Sequence, residues 1–358
     1  MALTLNDHEA QYRVMTIRVR RFSGNSGAWD DFVRSQPHWT HFHLYGWRSI
    51  LDRVFDHECI YLEARDAGEA LVGVLPLVRV RSVVFGHYLV SMPFVNYGGP
   101  LGTEMASRAL CEESARMAEQ DEVRLLELRS RVPLSTDLSV SHRKITVLLD
   151  LPASEKPLWD SFNANVRRRV RRAEKERIEV RVGLDQLEAF YRVFAVHMRD
   201  LGTPAQSFEF FRAIAEEFPK DVRFACAYLG DLPIACICGF LWGTEFEVTW
   251  ASALRSHKHL AANMLVYWRL MQRAIAEGAR TFNFGRSTPG SGQHRFKLQW
   301  GAARDETLWW YQRAPTTEAA LSTPSPDQGR YALATQIWRR LPVALTNRLG
   351  PSIVRYIP

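Results

Sequence analysis

The sequence predicts an α/β protein in which a strand–strand–strand–helix–strand unit occurs twice. In the first half, residues 58–80 have the pattern of a β-hairpin, and a strand, a helical segment and the short strand "RLLELRS" follow. In the second half the same order recurs, from "RFACAYLGDLPIACICGFLWG" to "TFNFGRS". An Arg-Ser pair ends both series, at Arg129-Ser130 and 157 residues later at Arg286-Ser287. A repeat at this distance indicates a duplicated α/β domain rather than a solenoid, whose periods are about 20–50 residues.

Apolar residues at helical spacing predict the helices of both units. The segment "SRALCEESARMAEQDEV" starts at a Ser, and "NMLVYWRLMQRAIAEG" ends at Gly278, a usual capping position. We expect the second of these helices to start at Asn263, where free N–H groups could bind an anion or where Asn263 could simply act as the N-cap. Residues 159–177, between the halves, are predicted to be one basic helix, because residues 167–177 hold seven Arg or Lys against two Glu. This face could bind RNA or lipid phosphates, or could simply be solvated.

The length of 358 residues suits two domains. We expect a first unit at residues 1–150, a second at residues 151–312, and a linker and basic tail at residues 313–358. The linker "RAPTTEAALSTPSPDQG" is rich in Pro, Ser and Thr. Residues 328–358 contain five Arg and no Asp or Glu.

The composition is that of a globular protein, and the net charge of +7 favours anionic partners. The five Cys form no C-x-x-C pair, which fits a reducing cytoplasm, and Cys236 and Cys238 are predicted to be buried on one face of a strand. The start, "MALTLNDHEAQYRVM", lacks the apolar core of a signal peptide, and no apolar run approaches the ~20 residues of a membrane span. The His clusters lack the spacing and the acidic or Cys partners of a zinc site, so we expect no bound metal.

A Gly-rich loop with several cations follows the last repeated strand, in "FNFGRSTPGSGQHRFKLQWGA". Gly285 and Gly290 have the spacing of a P-loop, but the Lys-Ser/Thr pair that must follow is missing, so this is not a nucleotide-binding loop. On a strand, Arg295 and Lys297 would share one face and Phe296 would lie on the other. Such cations could hold a phosphate or stabilise an oxyanion, or the loop could be a surface hairpin with solvated charges.

Two other segments could contribute to a pocket. The start of the helix at Asn263 follows "LRSHKHLAA", whose positive charges would add to the attraction of free helix N–H groups for an anion. In the first half, Asn96 and Tyr97 open the Gly-rich "NYGGPLG", which also precedes a helix. We add Trp250 and Ser287 to the residues expected to line a substrate pocket.

These segments together resemble a known family. The chain is similar to the FemA/FemB-like group linked to exosortase (PEP-CTERM) exopolysaccharide loci. The resemblance covers nearly the whole chain. It is carried by the following segments: "GVLPLVRVRSVVFG", "VSMPFVNYGGPL", "NVRRRVRRAEKERIEV", "VFAVHMRDLGTP", "NMLVYWRLMQRAIAEGARTFNFGRSTPGSGQHRFKLQWGA" and "LPVALTNRLGPSIVRYIP".

The resemblance implies two tandem GNAT-like units, with mixed central sheets flanked by helices, and an acyl or aminoacyl transfer to an amine. The donor would be acyl-CoA or aminoacyl-tRNA as co-substrate, with no permanently bound cofactor. The Phe296-Lys297 pair matches the Fem pair near the reaction centre. Two features depart from the wider family: the chain has no coiled-coil arm, and "RSHKHLAAN" lacks the glycines of the GNAT pyrophosphate signature.

We therefore expect a cytoplasmic acyltransferase of exopolysaccharide or cell-envelope biogenesis, acting on a small-molecule or lipid-linked glycan or peptide acceptor. Lys297 is the predicted charge stabiliser, Arg286 an anion ligand and His294 the one base within reach along the chain. The predicted substrate-binding residues are Asn96, Tyr97, Trp250, Asn263, Ser287, Arg295 and Phe296. The alternative is a protein without catalytic activity that binds a glycan, a lipid or the inner membrane face through its basic helix and tail.

Overall fold

The computed structural model describes residues 17–82, 85–314 and 330–357, and of residues 330–332 it describes the backbone alone. The N-terminal stretch tested above for a signal peptide and most of the predicted linker lie outside the described residues. None of the helices in the described part of the chain is long and apolar enough to cross a membrane.

The described residues contain fifteen strands and eleven α-helices. The strands are β1 Arg18–Arg21, β2 Glu58–Arg65, β3 Leu71–Ser82, β4 Gly86–Ser91, β5 Leu101–Gly102, β6 Leu125–Ser130, β7 Ser139–Ser141, β8 Ile145–Asp150, β9 Glu179–Val182, β10 Val222–Leu229, β11 Leu232–Trp242, β12 Glu245–Ala253, β13 Thr281–Ser287, β14 Arg304–Thr307 and β15 Trp309–Arg313. The helices are α1 Ser26–Ser35, α2 Gly46–Phe55, α3 Glu104–Gln120, α4 Glu155–Ser161, α5 Ala164–Lys175, α6 Leu187–Leu201, α7 Phe208–Glu217, α8 Ala262–Ala276, α9 Gly292–Leu298, α10 Arg330–Arg340 and α11 Val343–Val354. Short 3-10 helices occur at His41–His43, Leu184–Gln186 and Arg255–Leu260.

The strands form two mixed sheets, as the sequence predicts. The first has the order β1-β2-β3-β4-β6-β15-β7, with β5 paired to β3, and the second has the order β14-β8-β13-β12-β11-β10-β9. Each sheet has one parallel pair, β4 with β6 and β12 with β13, at the point where a helix connects the two strands. The order of elements is therefore the same in the two halves, and the duplication inferred from the sequence is present in the fold.

The two sheets exchange strands across the predicted unit boundaries. Strand β8, before residue 150, pairs with β13 and β14 in the second sheet. Strand β15, just after the second sheet is complete, returns to pair with β6 and β7 in the first. The division of the chain into units at residues 150 and 312 stays a prediction. At both positions, hydrogen bonds between strands join the two halves.

Three buried clusters hold these layers together. Helix α3 covers the outer face of the first sheet, and α5 and α8 cover the outer face of the second. The largest cluster lies between the sheets and includes α1, α2, α6 and α7. Cys236 and Cys238 lie in this central cluster as free thiols, so the prediction that they are small buried residues is confirmed.

The basic segment between the halves forms two helices and not the single helix predicted for it. Helix α4 ends at Ser161, and α5 starts at Ala164. The reason is local, because Asn163 has extended backbone angles and its side chain accepts a hydrogen bond from Val166 N, which makes it the N-cap of a new helix. Three apolar residues of α5 face the core, namely Val166, Val170 and Ala173.

Candidate active site

The candidate site lies where β12 and β13 separate. The two strands are paired from Glu245 and Thr281 to Glu247 and Asn283. Beyond this point β13 follows β8 with a bulge between Asn283 and Arg286. The gap between β12 and β13 is the floor of a cavity of about 590 Å³.

Gly285 allows the bulge at this point. Its φ is +73°, and a Cβ at this position would lie 2.2 Å from Val248 O on β12. A side chain would therefore be strained in backbone conformation and would also collide with the neighbouring strand. The extra residue of the bulge brings the carbonyl groups of Gly285 and Arg286 toward α9, where both are used.

Helix α9 carries Lys297 into the cavity. Its side chain is 7% exposed, and Nζ donates to Gly285 O at 2.7 Å and to Arg286 O at 2.9 Å. Burial lowers the pKa of Lys297 to about 7, with Glu247 acting in the opposite direction and Arg286 adding to the decrease. A lysine held this way has one position on nitrogen left for a group in the cavity.

The predicted strand at residues 295–297 is in fact helical. Ser291 is the N-cap of α9, because its side chain accepts from His294 N at 3.1 Å. Residues two apart in a helix point in different directions, so Arg295 and Lys297 do not share a face. Arg295 is exposed and donates to Gly290 O, whereas Lys297 points inward.

A buried carboxyl group, Glu247, lies next to this arrangement. Asn96 Nδ2 and Tyr97 OH each donate to one of its oxygens. Asn283 Nδ2 in turn donates to Tyr97 OH at 2.7 Å. Burial raises the pKa of Glu247 to about 8, and the neighbouring Glu245 adds to the increase. The hydrogen bonds connect the first half of the chain to the site in the second.

The corresponding gap in the first sheet is closed by the chain itself. Beyond the β4–β6 pair, the N–H groups of Gly98 and Gly99 donate to Arg129 O at 3.1 and 2.8 Å. A Cβ on Gly99 would lie 2.9 Å from the same oxygen, so this close approach requires a glycine. The Arg129 side chain also donates to Val95 O at 3.2 Å. The segment at residues 92–99 thus fills the gap in the first unit and carries Asn96 and Tyr97 to the second.

Cations gather at the end of the cavity that faces the first sheet. The Arg286 guanidinium lies over the Trp310 ring at 5.2 Å, and Arg129 lies over the same ring at 5.0 Å. Lys144 Nζ donates to Thr288 Oγ1 at 2.7 Å. Burial and the charge of Arg129 lower the pKa of Arg286 to about 10, and Glu127 opposes the decrease.

His294 lies outside the cavity lining, contrary to its predicted role as a base. Its Nδ1 accepts from Gly290 N at 3.0 Å, and its Nε2 lies 2.9 Å from Asp305 Oδ1. Both ring nitrogens are therefore used within the loop and its neighbouring strand. We remove His294 from the candidate set, since it closes the loop around α9 instead of facing a substrate.

The structure brings most of the remaining predicted residues together. The cavity is lined by Asn96, Trp250, Asn263, Arg286, Ser287, Phe296 and Lys297 from the predicted set. Tyr97 lies behind Asn96 on the Glu247 carboxyl group, and Arg295 lies outside. Asn263 is in the first turn of α8, but the N-cap is Ala261, whose left-handed φ of 58° turns the chain into the helix. The prediction that Asn263 caps α8 is therefore wrong.

Sequence reasoning missed Glu247, Lys144, His197 and Thr249. One signal was available for Glu247, since it is an acid between the apolar residues Phe246 and Val248 of "EFEVTW". It is fully buried, and an acid buried in a sheet needs hydrogen-bond donors. No local pattern marks Lys144, His197 or Thr249, which reach the cavity through the tertiary fold from the residue before β8, from α6 and from β12.

Comparisons with known proteins agree with this architecture. Residues 160–298 match the family model described as an acetyltransferase (GNAT) domain. No curated protein sequence matches the chain.

Three solved structures illustrate the likeness. FemX has a TM-score of 0.60 and 13% identity, with 82% of this chain and 97% of that chain covered. L-PGS from Bacillus licheniformis has a TM-score of 0.53 and 13% identity, with 88% and 98% covered. A tandem GNAT protein from the clavulanic acid biosynthesis pathway has a TM-score of 0.52 and 12% identity, with 84% and 100% covered. The chain therefore has the fold of two tandem GNAT-like units, and the GNAT acetyltransferase-domain match lies in its second half.

Proposed function

We propose that this protein is an acyltransferase that moves an acyl or aminoacyl group from an activated donor to an amine. The acceptor nitrogen forms a bond to the donor's carbonyl carbon, and the bond from that carbon to the donor's oxygen or sulfur breaks. The proton lost by the nitrogen ends on the departing oxygen or sulfur. Such a transfer depends on holding the reactants together and on stabilising the oxyanion that forms on the way.

The observation that carries the proposal is the position of Lys297. Its ammonium group has three N–H donors, two of which bond the carbonyls of Gly285 and Arg286. The third remains for an oxygen in the cavity. Negative charge developing on that oxygen favours the charged form of a lysine whose pKa burial has lowered to about 7. Lys297 is therefore suited to stabilise the oxyanion.

Glu247 supports this group from behind and is not itself part of the cavity lining. Its two oxygens hold Asn96 and Tyr97, so its carboxyl group sets the position of Asn96 at the cavity wall. We assign it the role of a positioning residue, which also offsets part of the cost of burying the Lys297 charge.

The donor is acyl-CoA or aminoacyl-tRNA, and different features support each. The sequence resemblance to Fem proteins and the exposed arginines of α5, among them Arg168 and Arg172, support a charged tRNA. The GNAT-domain match and the tandem GNAT fold support acyl-CoA. The resemblance to exosortase-linked proteins supports a role in exopolysaccharide or cell-envelope biogenesis.

The proposal is tested with Lys297→Met. Charged tRNA and a panel of acyl-CoA thioesters are offered with a simple primary amine, and product formation is measured in single turnover. We expect the variant to lose at least about 100-fold in rate, the scale seen when an oxyanion donor is removed. Arg295→Met is the matched control, because it removes an exposed cation from the same helix. Full activity of a folded Lys297→Met protein would contradict the proposal.

A second candidate function, contact with an anionic membrane surface, is favoured by the tail. Leu333, Ile337, Leu345 and Leu349 are exposed and lie four residues apart in pairs on α10 and α11. Arg339 NH2 donates to Leu201 O on α6 at 3.1 Å, and the tail helices pack against α6. The helices are thus anchored to the protein with apolar side chains directed outward, among arginines and no acids.

A further inference from the structure

We propose that the end of the cavity facing the first sheet is a binding site for an oxyanion group, a phosphate or a carboxylate, carried by a substrate of the transfer. We call this the cationic end and define it by Lys144, Arg286, Ser287 and Thr288, which all line the cavity. The inference rests on the proposed function only in assigning the anion to a transfer substrate. The binding site itself is argued from geometry and charge.

The first argument is that Arg286 has no counter-ion. Its guanidinium stacks on Trp310 and makes no hydrogen bond or ion pair with any residue that the structure describes. Arg129, on the same ring, is different, because its Nε donates to Glu127 Oε1 at 2.7 Å. A guanidinium stacked on an aromatic ring keeps its N–H groups at the edge, where they can bind an oxyanion through two parallel hydrogen bonds.

The second argument is the charge of the whole lining. Four cations face the cavity, namely Lys144, Lys258, Arg286 and Lys297, and no Asp or Glu does so among the described residues. Burial lowers the pKa of Lys144 to about 8, and the nearby Arg286 and Arg143 lower it further. Arg286 repels both Lys144 and Lys297, and an anion that enters the cavity would relieve this repulsion.

The third argument is an unsatisfied hydroxyl. Ser287 Oγ is buried at the cationic end and has no hydrogen-bond partner among the described residues. Thr288 Oγ1 accepts from Lys144 and keeps its own proton for donation. Buried polar atoms are nearly always paired in folded proteins, so a free donor beside Arg286 indicates that a ligand completes it. The available groups are all donors, which suits an oxyanion.

The position of this site limits the substrate. The backbone oxygen of Arg286 accepts from Lys297 Nζ at 2.9 Å, so the cationic end adjoins the lysine proposed to act on the reacting carbonyl. A substrate that fills both has its phosphate or carboxylate near the amine or the acyl group that reacts. Neutral amines of the same size as such a substrate would leave Arg286 unpaired and would bind less tightly than the anionic substrate.

The test measures anion binding by the full-length protein without any transfer reaction. Inorganic phosphate and acetate are titrated separately, with chloride holding the ionic strength constant, and binding is followed by calorimetry and by the melting temperature. We expect saturating phosphate or acetate to raise the melting temperature by at least about 3 °C. Whichever anion acts more strongly identifies the group on the substrate.

Variants locate the site. Arg286→Met should weaken anion binding at least about ten-fold and remove the rise in melting temperature, whereas Arg286→Lys should retain part of both. The matched control, Arg295→Met, should bind as the unchanged protein does. The inference would be overturned if the unchanged protein did not respond to phosphate or acetate. It would also be overturned if Arg286→Met responded as strongly as the unchanged protein. If Arg286→Met does not fold, the same comparison is made with Ser287→Ala and Lys144→Met, each of which should weaken binding.

Failure of the two proposals can be told apart. Lys297→Met should still bind the anion, because the cationic end does not depend on that side chain. Anion binding without transfer in any donor screen would leave this site standing and count against the proposed activity. If transfer activity is found and neither the two anions nor Arg286→Met changes it, the proposed activity stands and the anion site is overturned.

Discussion

Glu247 and Lys297 show how burial, as the largest cause, shifts the pKa values of an acid and a base. Both lie in the same apolar surroundings, and burial moves their pKa values in opposite directions, up to about 8 for the acid and down to about 7 for the lysine. Each displacement is a preference for the neutral form. The two groups are also close enough to act on each other, so the protonation of one affects the other.

Glu247→Gln should make the stability of the protein less dependent on pH. The pKa of Glu247 is higher in the folded than in the unfolded state, so its contribution to stability is fully present below about pH 4.5 and is lost as pH rises toward 8. Between pH 5 and 7 this loss approaches 1.4 kcal/mol per pH unit at most, to order of magnitude. Because Gln stays neutral, the free energy of unfolding of the variant should fall less between pH 5 and 7 than that of the unchanged protein. Urea unfolding measures this difference.

Two features make this experiment clean. The opposite contribution of Lys297, whose pKa is lower in the folded state, increases stability only above about pH 7 and lies outside the window. Glu112→Gln, at an exposed acid on α3 that pairs with Arg108, is the control for replacing a carboxyl group by an amide. An equal fall in stability for Glu247→Gln and the unchanged protein would show that Glu247 ionises normally.

At the scale of elements, the same separation of parallel strands has two outcomes. In the second sheet the gap between β12 and β13 stays open as the cavity. In the first sheet, hydrogen bonds from Gly98 and Gly99 to Arg129 close the gap between β4 and β6. The open gap therefore forms part of the candidate site, and the segment that closes the other gap supplies Asn96 to it.

Gly285→Ala tests the bulge that keeps the second gap open. The Ala Cβ would lie 2.2 Å from Val248 O, so β12 must move, and residue 285 must keep an unfavourable φ of +73°. We expect a loss of roughly 2–4 kcal/mol in the free energy of unfolding, together with lower transfer activity as Lys297 loses its carbonyl partners. Urea unfolding and the single-turnover assay measure the two effects.

Gly290→Ala provides the control for Gly285→Ala. The φ of Gly290 is +72°, nearly the same, but nothing lies within 4 Å of the position of its Cβ. It should therefore show the backbone penalty alone, of the order of 1 kcal/mol. If the two substitutions are equally destabilising, the contact with Val248 does not matter and the account of the bulge is incorrect.

At the scale of the whole molecule, the two units are joined in one structure. They share the central cluster between the sheets, and β8 and β15 each complete the sheet of the opposite half. The Glu247 network adds polar contacts across the same boundary. Because the site uses residues from both halves, we expect neither half to act alone.

Helices α10 and α11 of the tail carry exposed apolar side chains on their outward side. Leu345→Gln combined with Leu349→Gln should reduce flotation of the protein with anionic vesicles, because the exposed apolar side chains would supply the contact. Leu229→Gln with Leu232→Gln removes two other exposed leucines, at the β10–β11 turn, and should leave flotation unchanged. Equal flotation of all three proteins, or of the chain with and without residues 328–358, would remove the idea of membrane contact.

The sequence by itself determined the order of elements and the duplication. Alternating and helical apolar spacing, the turn glycines and the repeated Arg-Ser pair were enough, because these signals act over a few residues. It also pointed to Lys297 and to the loop at Asn96, through cations, glycines and a family resemblance. The local signals were weaker at the ends of elements, where a single N-cap decides the outcome. Asn163 divides the predicted long helix into two, and Ser291 starts a short helix where a strand was predicted.

Only the tertiary structure decided which of the two gaps is a site. Lys144 and Arg286 lie far apart in the chain and line one cavity, with Glu247 behind its wall, because the fold brings β8 beside β13. The tertiary structure also decided the role of His294. It lies near Lys297 in the sequence, but both of its ring nitrogens have hydrogen-bond partners in the fold. Burial and charge proximity are properties of neighbours in space, and a sequence records only neighbours along the chain.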